Sequence, residues 1–507
     1  MFGPHIIGSE TEYGIVAVDD PSASPIHTST QAVVAYAEHS GQGVNRRTRW
    51  DYENESPLRD IRGFDLRRYR RGAAPVLDPN ALGAANVITA NGARFYVDHA
   101  HPEYSSPETT TARDAVVWDK AGDIIMHRAA EAAEPELKIY KNNVDGKGAS
   151  YGSHENYLYP RDLDVEDVQA ALIPHFVTRQ VYCGAGRIGL GQQGEQPGFQ
   201  ISQRADYIET EVSLETTLNR GIVNTRDEPH AEADKWRRLH VIIGDANLSE
   251  FSNYLKFGTT ALVLAAVAEG AYFGDLRLLE PVADVQRVSR DLDCTYRLRF
   301  YGQAERTAIE TQREIRKRVW EIMELRGDNL EVFELWGKIL DDLESDPLST
   351  ADRLDWTAKL QLMNAYRARG LEWTDPRLAL VDLQYSDIDP RRGLYHALVR
   401  KGRMQTLLDP AEIEAAVDSP PQATRAWLRG HLVANYSADI LSANWDSVIV
   451  DTPDGAVQIT MDDPRGFNQL ELRALLEAQP RPGIGELVAG LKEINPDKIS
   501  GVGRKED

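Results

Sequence analysis

The chain has 507 residues, enough for two or three domains or for one large catalytic unit with a smaller appendage. Hydrophobic residues make up 42% and charged residues 27%, an ordinary globular balance that permits a substantial core. The 57 basic and 79 acidic residues leave a formal net charge of -22, which argues against non-specific nucleic-acid binding and against docking on an anionic membrane.

The opening residues Met1 to His5 show no basic segment followed by an apolar one, so no signal peptide is expected. His5 to Asp19 reads as one strand rich in β-formers, with Glu10 and Glu12 on a common face, and Thr30 to His39 as a helix. Residues 41–79 break the pattern with many charges of both signs and few aliphatics, which marks an insertion of functional or disordered character. Ala93 to Val97 is a strong strand. Lys138 to Asn142, Glu155 to Tyr159 and Val181 to Cys183 read as shorter ones. Cys183 and Cys294 are far apart and in no CxxC pattern, so neither a disulfide framework nor a cysteine zinc site is expected, and a reducing cytoplasm fits best.

Gly184 to Gly189 matches GxGxxG, but the Gly/Gln/Pro-rich residues from Gly191 to Gly198 read as a loop and cannot open the helix that a dinucleotide fold requires. Helices dominate from Thr259 onward. The apolar run Ala261 to Ala268 is eight residues long, against the ~20 needed to cross a bilayer, and reads as a buried helix. Thr307 to Leu325 and Asp352 to Arg369 carry helical apolar spacing. Asp409 is placed to cap a short helix with Pro410 at its first position. Further on come a helix from Arg425 to Leu432, a hairpin of Ser447 to Val450 with Ala456 to Thr460, a helix from Leu470 to Leu476, and a tail expected to fray from Asn495. A boundary near Gly430 divides a catalytic unit, 1–430, from a small C-terminal one, 431–507.

The chemistry concentrates between Asn91 and Glu108. Side chains alternate along a strand, so Arg94, Tyr96 and Asp98 share one face, opposite Phe95 and Val97. That face either meets solvent or lines a polar site. In the second case Glu103, placed at a bend after Pro102, converges with Tyr96 and Asp98. Oxygen ligands of this kind, with Glu10 and Glu12 from the first strand, suit magnesium and a nucleotide, and Arg94 would balance phosphate charge. A second polar run holds Arg226, Arg237, Arg238 and His240. It reads either as an anion site or as a solvated face with a core histidine.

At Gly8 to Gly14 and Asn91 to Glu108 the sequence resembles the Pup ligase/Pup deamidase family of carboxylate–amine ligases related to glutamine synthetase. The likeness continues through Lys141 to Asn143, Ser150 to Tyr157, Asn224 to Glu250, Pro420-Pro421 and Trp445. It implies an α+β fold: a glutamine-synthetase-like large domain with a curved, mostly antiparallel sheet packed by helices, plus a small C-terminal α/β domain. It further implies magnesium ligands at Glu10, Tyr96 and Glu103, ATP (or ADP plus phosphate) contacts at Arg94, Ser106 and Trp445, and a catalytic aspartate at Asp98. Arg226 and His240 are substrate or phosphate candidates by the same likeness, and Arg237 with Arg238 are candidates for the basic groove that docking of acidic Pup would need. Thr48 to Pro57 and the spelling Asp98-His99-Ala100-His101-Pro102-Glu103 resemble the deamidase branch. The implied partners are Pup and pupylated proteins, in a pathway linked to the bacterial proteasome.

Overall fold

A computed structural model describes residues 5–40, 49–51, 55–63, 85–145, 148–478 and 481–502. Its centre is a six-stranded sheet. Across it the strands run Trp236–Val241, Ser153–Pro160, Ile7–Glu12, His101–Ser105, Arg94–Asp98 and Asn86–Ile88, and every neighbouring pair is antiparallel. Period-two alternation gives this sheet two unlike faces. Ile7, Phe95, Tyr104, Tyr157, Leu239 and Val241 lie in the main hydrophobic core. The helices Pro25–His39, Ala112–Ala132 and Glu250–Ala268 pack on the sheet. Burying one such aromatic or aliphatic side chain contributes roughly 1.5–3 kcal/mol, which fixes the register because a one-residue slip would turn the whole set outward.

The first expected strand is in fact two. It breaks at the buried Tyr13, whose hydroxyl donates to Asp123 at 2.8 Å, and Gly14–Ala17 leaves the main sheet to pair with Leu137–Tyr140. Val181 to Cys183, expected as a strand, is the last turn of the helix Val165–Cys183. Packing of that helix on Glu250–Ala268 overrides the β-propensity of a short apolar triplet. Downstream of the glycine motif no helix follows. Arg187–Leu190 and Gln196–Gln200 form a hairpin instead, and a Cβ at Gly189 (φ +85°) would lie 2.8 Å from the Gly194 Cα.

Helix ends follow their caps. Thr307 and Glu310 form a reciprocal capping box at the head of Ala308–Ile322, and Asp409 accepts from the Ala411 N–H at the head of Pro410–Asp418. No helix among the described residues is long and apolar enough to cross a membrane.

A second, five-stranded sheet runs Ile499–Gly501, Gly455–Thr460, Ser447–Thr452, Ile440–Ala443 and Arg49–Trp50. Leu428, Leu432, Val450, Ile459, Leu491 and Trp50 share its core. Position 430 lies inside the helix Ala426–Tyr436, whose Leu428, Leu432 and Val433 belong to this second core. The chain beyond Asn495 is built in as far as residue 502, Ile499–Gly501 being an edge strand against Gly455–Thr460, so the expected fraying does not begin at 495. Of the 41–79 insertion, residues 49–51 and 55–63 are described. Arg49–Trp50 adds to this sheet in parallel with Ile440–Ala443, and the remainder lies outside the described residues.

Candidate active site

Register assembles the site. Tyr96 stands opposite Glu103, Arg94 opposite Ser105, and Asp98 opposite His101. Glu12 faces Glu103, while Glu10 lies between Ser105 and His154. His240 faces Asn156 on the next pair. Partners directly opposite share a face, so Arg94, Tyr96, Asp98, Glu103, Glu10, Glu12, His154, Asn156, Arg238 and His240 all project from the side opposite Phe95. That face is not simply solvated: Arg94 is 6% and Glu103 3% exposed, while the Asp98 side chain is 40% exposed. The bend lies at His99 (φ +51°), and Pro102-Glu103 continues within the strand His101–Ser105.

Carboxylate oxygens of Glu12, Asp98 and Glu103 all lie within 4.8 Å of one another. Burial first, then the charges of Asp98, Glu12 and Glu10, push the Glu103 carboxyl well above its usual range. Burial and Glu103 likewise push the Tyr96 phenol well up. Crowded oxygen donors of this kind fit a hard divalent cation such as magnesium, which would relieve the repulsion among the carboxylates.

Glu10 belongs to the adjoining group. Burial works to raise its carboxyl, but His240, His154 and Arg238 outweigh it and hold the group well below the usual range. Its Oε1 accepts from Asn156 Nδ2 at 2.8 Å. Ligand atoms of Glu10, His154 and His240 also fall within 4.8 Å of one another. Burial first keeps the His240 imidazole well below its ordinary value, against Glu10 and together with the nearby charges of His154, Arg226 and Arg238. For Asp98, burial again works upward, yet His99 Nδ1 at 2.9 Å, with His154 and Arg94, holds the carboxyl below the usual range. The hydrogen bond to Asp98 in turn lifts His99 to about 9.

Next to this face is an open pocket of about 70 Å³ whose walls include Ser9, Glu10, Ser106, Glu108, Arg238, Arg425 and Trp445. Ser106 Oγ accepts from the Ser9 N–H at 2.9 Å and donates to the Pro107 carbonyl at 3.2 Å, which orients it in the wall. Trp445 brings the small C-terminal sheet to the opposite wall. Arg94 donates through Nε to Asn86 Oδ1 at 2.6 Å, and its guanidinium carbon lies 3.8 Å from the centre of the Tyr96 ring.

Of the second polar run, Arg238 and His240 join the site: Arg238 Nη1 and His240 Nδ1 both meet Asn156 Oδ1, at 2.6 and 3.0 Å. Arg226 lies beside the segment of the insertion that carries Asp60, with which its backbone bridges, and its charge acts on His240. Arg237 corrects the expectation. Consecutive strand residues point to opposite faces, so it turns away and donates to the Leu163 carbonyl at 3.3 Å. Arg237 and Arg238 therefore form no common basic groove, and Arg238 is engaged by Glu10 and Glu228 inside the site. His154 and Asn156 are not among the expected site residues; alternation along Glu155 to Tyr159 places Asn156 on this face, and His154 joins it because the strand begins earlier, at Ser153. Nor are Glu108, Arg425 and Trp50, which only long-range folding brings here.

Comparison with known proteins agrees with this geometry. A family model described as Pup-ligase protein matches residues 5–449. The "Pup deamidase/depupylase" of Mycolicibacterium smegmatis is 53% identical over 483 residues, 93% of this chain and 97% of that protein. The Pup ligase PafA in complex with Pup superposes with a TM-score of 0.76 at 31% identity, covering 97% of this chain and 95% of that one. PafA in complex with ADP gives 0.70 at 33% identity, covering 81% and 95%. The chain belongs to the Pup-ligase protein family.

Proposed function

We propose that this protein is a nucleotide- and magnesium-dependent amidohydrolase that converts the C-terminal glutamine of Pup to glutamate and releases Pup from modified lysines by isopeptide hydrolysis. The observation that carries the reading is the carboxylate cluster of Glu12, Asp98 and the buried Glu103 on the polar sheet face. The name of the 53% identical relative supports the substrate. The ADP complex of a 33% identical ligase supports nucleotide use. Both reactions break a bond to the same side-chain carbonyl, so one site serves both.

Glu10, Glu12, Tyr96 and Glu103 would hold magnesium, and Arg94, Ser106 and Trp445 the nucleotide. The bound cation supplies positive charge against phosphate and against a developing oxyanion. Asp98 is the catalytic residue. Its carboxyl, held below the usual range, is ionised at neutral pH. It can attack the carboxamide carbon to give an acyl anhydride, or take a proton from the attacking water or phosphate. His99, protonated up to about pH 9, carries a proton beside it for the leaving nitrogen. His240 and the cation Arg238 line the same face. The catalytic unit runs up to the helix Ala426–Tyr436, and the small C-terminal unit contributes the Trp445 wall. The free, buried Cys183 and Cys294 suit a reducing cytoplasm.

The likeness to PafA keeps a second reading in view, an ATP-consuming ligase of Pup. One assay separates the two. Glutamine-ended Pup is incubated with ATP and magnesium, and product mass, ammonia and ADP are followed together. We expect ammonia release without matching ADP, and its loss in Asp98→Asn while nucleotide still binds. Ammonia release undiminished in Asp98→Asn would remove the assignment, and ADP formed in step with a new bond would favour the ligase.

A further inference from the structure

Arg94 is flanked by rings on two sides. Its guanidinium carbon lies 4.0 Å from the centre of the Trp50 ring and 3.8 Å from that of Tyr96. The Tyr96 side needs no explanation, being two residues along the same strand face. Trp50 does, because it comes from the insertion and is carried by the other sheet. The strand Arg49–Trp50 pairs with Ile440–Ala443, and the Asp51 N–H donates to the Ala443 carbonyl at 2.9 Å. The indole is 4% exposed and fixed at both ends: Nε1 donates to Glu55 at 2.8 Å, and the ring meets Trp445 edge-on at 5.3 Å. Trp50 thus touches two of the three residues read above as nucleotide contacts.

We propose that Trp50 is a positioning residue for nucleotide binding, holding the Arg94 guanidinium in one plane against Tyr96 and so linking the C-terminal sheet to the phosphate grip. This rests on the reading of Arg94 as a nucleotide contact. A guanidinium grips phosphate oxygens through its edge, in its own plane, so fixing that plane fixes the grip. Stacking between two aromatic faces does this at the cost of few rotamers, and each cation–π contact in a desolvated setting is strong enough to matter for affinity. A tryptophan that served packing alone would depend on its volume, and its loss would act on folding without acting through Arg94.

The test measures MgADP affinity by calorimetry on the full chain, with melting temperature alongside. We expect Trp50→Leu to weaken MgADP about tenfold and Trp50→Phe, which keeps an aromatic face, to stay within about threefold. In an Arg94→Lys background, where no planar group remains to be stacked, Trp50→Leu should add less than about threefold. Unchanged affinity in Trp50→Leu, equal losses in the Leu and Phe variants, or full additivity with Arg94→Lys each overturns the proposal. Should Trp50→Leu fail to fold, Trp50→Met fills the space without a ring and is judged by the same outcomes. Wild-type protein that binds no MgADP overturns the nucleotide reading and this inference together, whereas tight wild-type binding with an indifferent Trp50→Leu overturns this inference alone.

Discussion

Asn156 sits where the charged groups of the site meet, and only a carboxamide can satisfy them all. Its Nδ2 donates to Glu10, while Oδ1 accepts from Arg238 and from His240 Nδ1. The bond to Nδ1 leaves His240 Nε2 as the lone-pair nitrogen. Partners of this kind orient metal-binding groups and typically change affinity 10–100-fold when removed. Asn156→Leu, similar in size and without polar atoms, should therefore raise the magnesium needed for half-maximal ammonia release about 10–100-fold. A magnesium titration identical to wild type would show that Asn156 does not orient the site. Alternation made Arg94, Tyr96 and Asp98 legible in the sequence, and the same rule, applied to Trp236 to Val241, separates Arg237 from Arg238. Asn156 was equally legible by position, but a neutral amide carries no chemical mark until its neighbours are known.

The helix Ala426–Tyr436, part of the second core, is tied to the large sheet's side through Glu108. Arg425 Nε donates to Glu108 at 2.7 Å, Arg429 closes the other side, and Arg429 also reaches the Gly92 carbonyl at 2.8 Å. Burial alone would raise the Glu108 carboxyl, but Arg429 and Arg425 outweigh it and hold the group at about 2, against an ordinary 4.5. The folded value is the lower one, so its stabilisation is fully present above about pH 4.5 and disappears as pH falls toward 2. At about 1.4 kcal/mol per unit it is on the order of 3 kcal/mol. Glu108→Gln should cost about 3–5 kcal/mol at neutral pH, because two enclosed guanidinium groups lose their counter-charge, and should flatten the acid limb of the stability profile. Urea melts from pH 7 down to 3 measure both, and an unaltered acid slope would place the linkage elsewhere. Local signals found the cap at Asp409. They failed for Val181 to Cys183, where helix packing decides, and for Arg49–Trp50, whose pairing partner is nearly four hundred residues away.

On the scale of the whole molecule, the pocket has one wall from the large sheet and one from the C-terminal unit. A ligand seated between Ser106 and Trp445 binds only when both are folded and docked, so its binding free energy stabilises both. The carboxylate cluster adds a condition. With oxygens of Glu12, Asp98 and Glu103 within 4.8 Å of one another, the site is electronegative and repels phosphate unless a cation is present. Magnesium and ADP are therefore expected to act together. At a hundredfold excess over the dissociation constant, MgADP should stabilise the protein by about 2.7 kcal/mol and give one calorimetric transition. ADP with EDTA should leave the melting temperature near that of the free protein. If ADP stabilised equally with and without magnesium, the acidic cluster would not be the metal site. If only part of a biphasic melt moved, the nucleotide would rest on one unit alone, and the link through Trp50 and Glu108 would carry none of its binding energy.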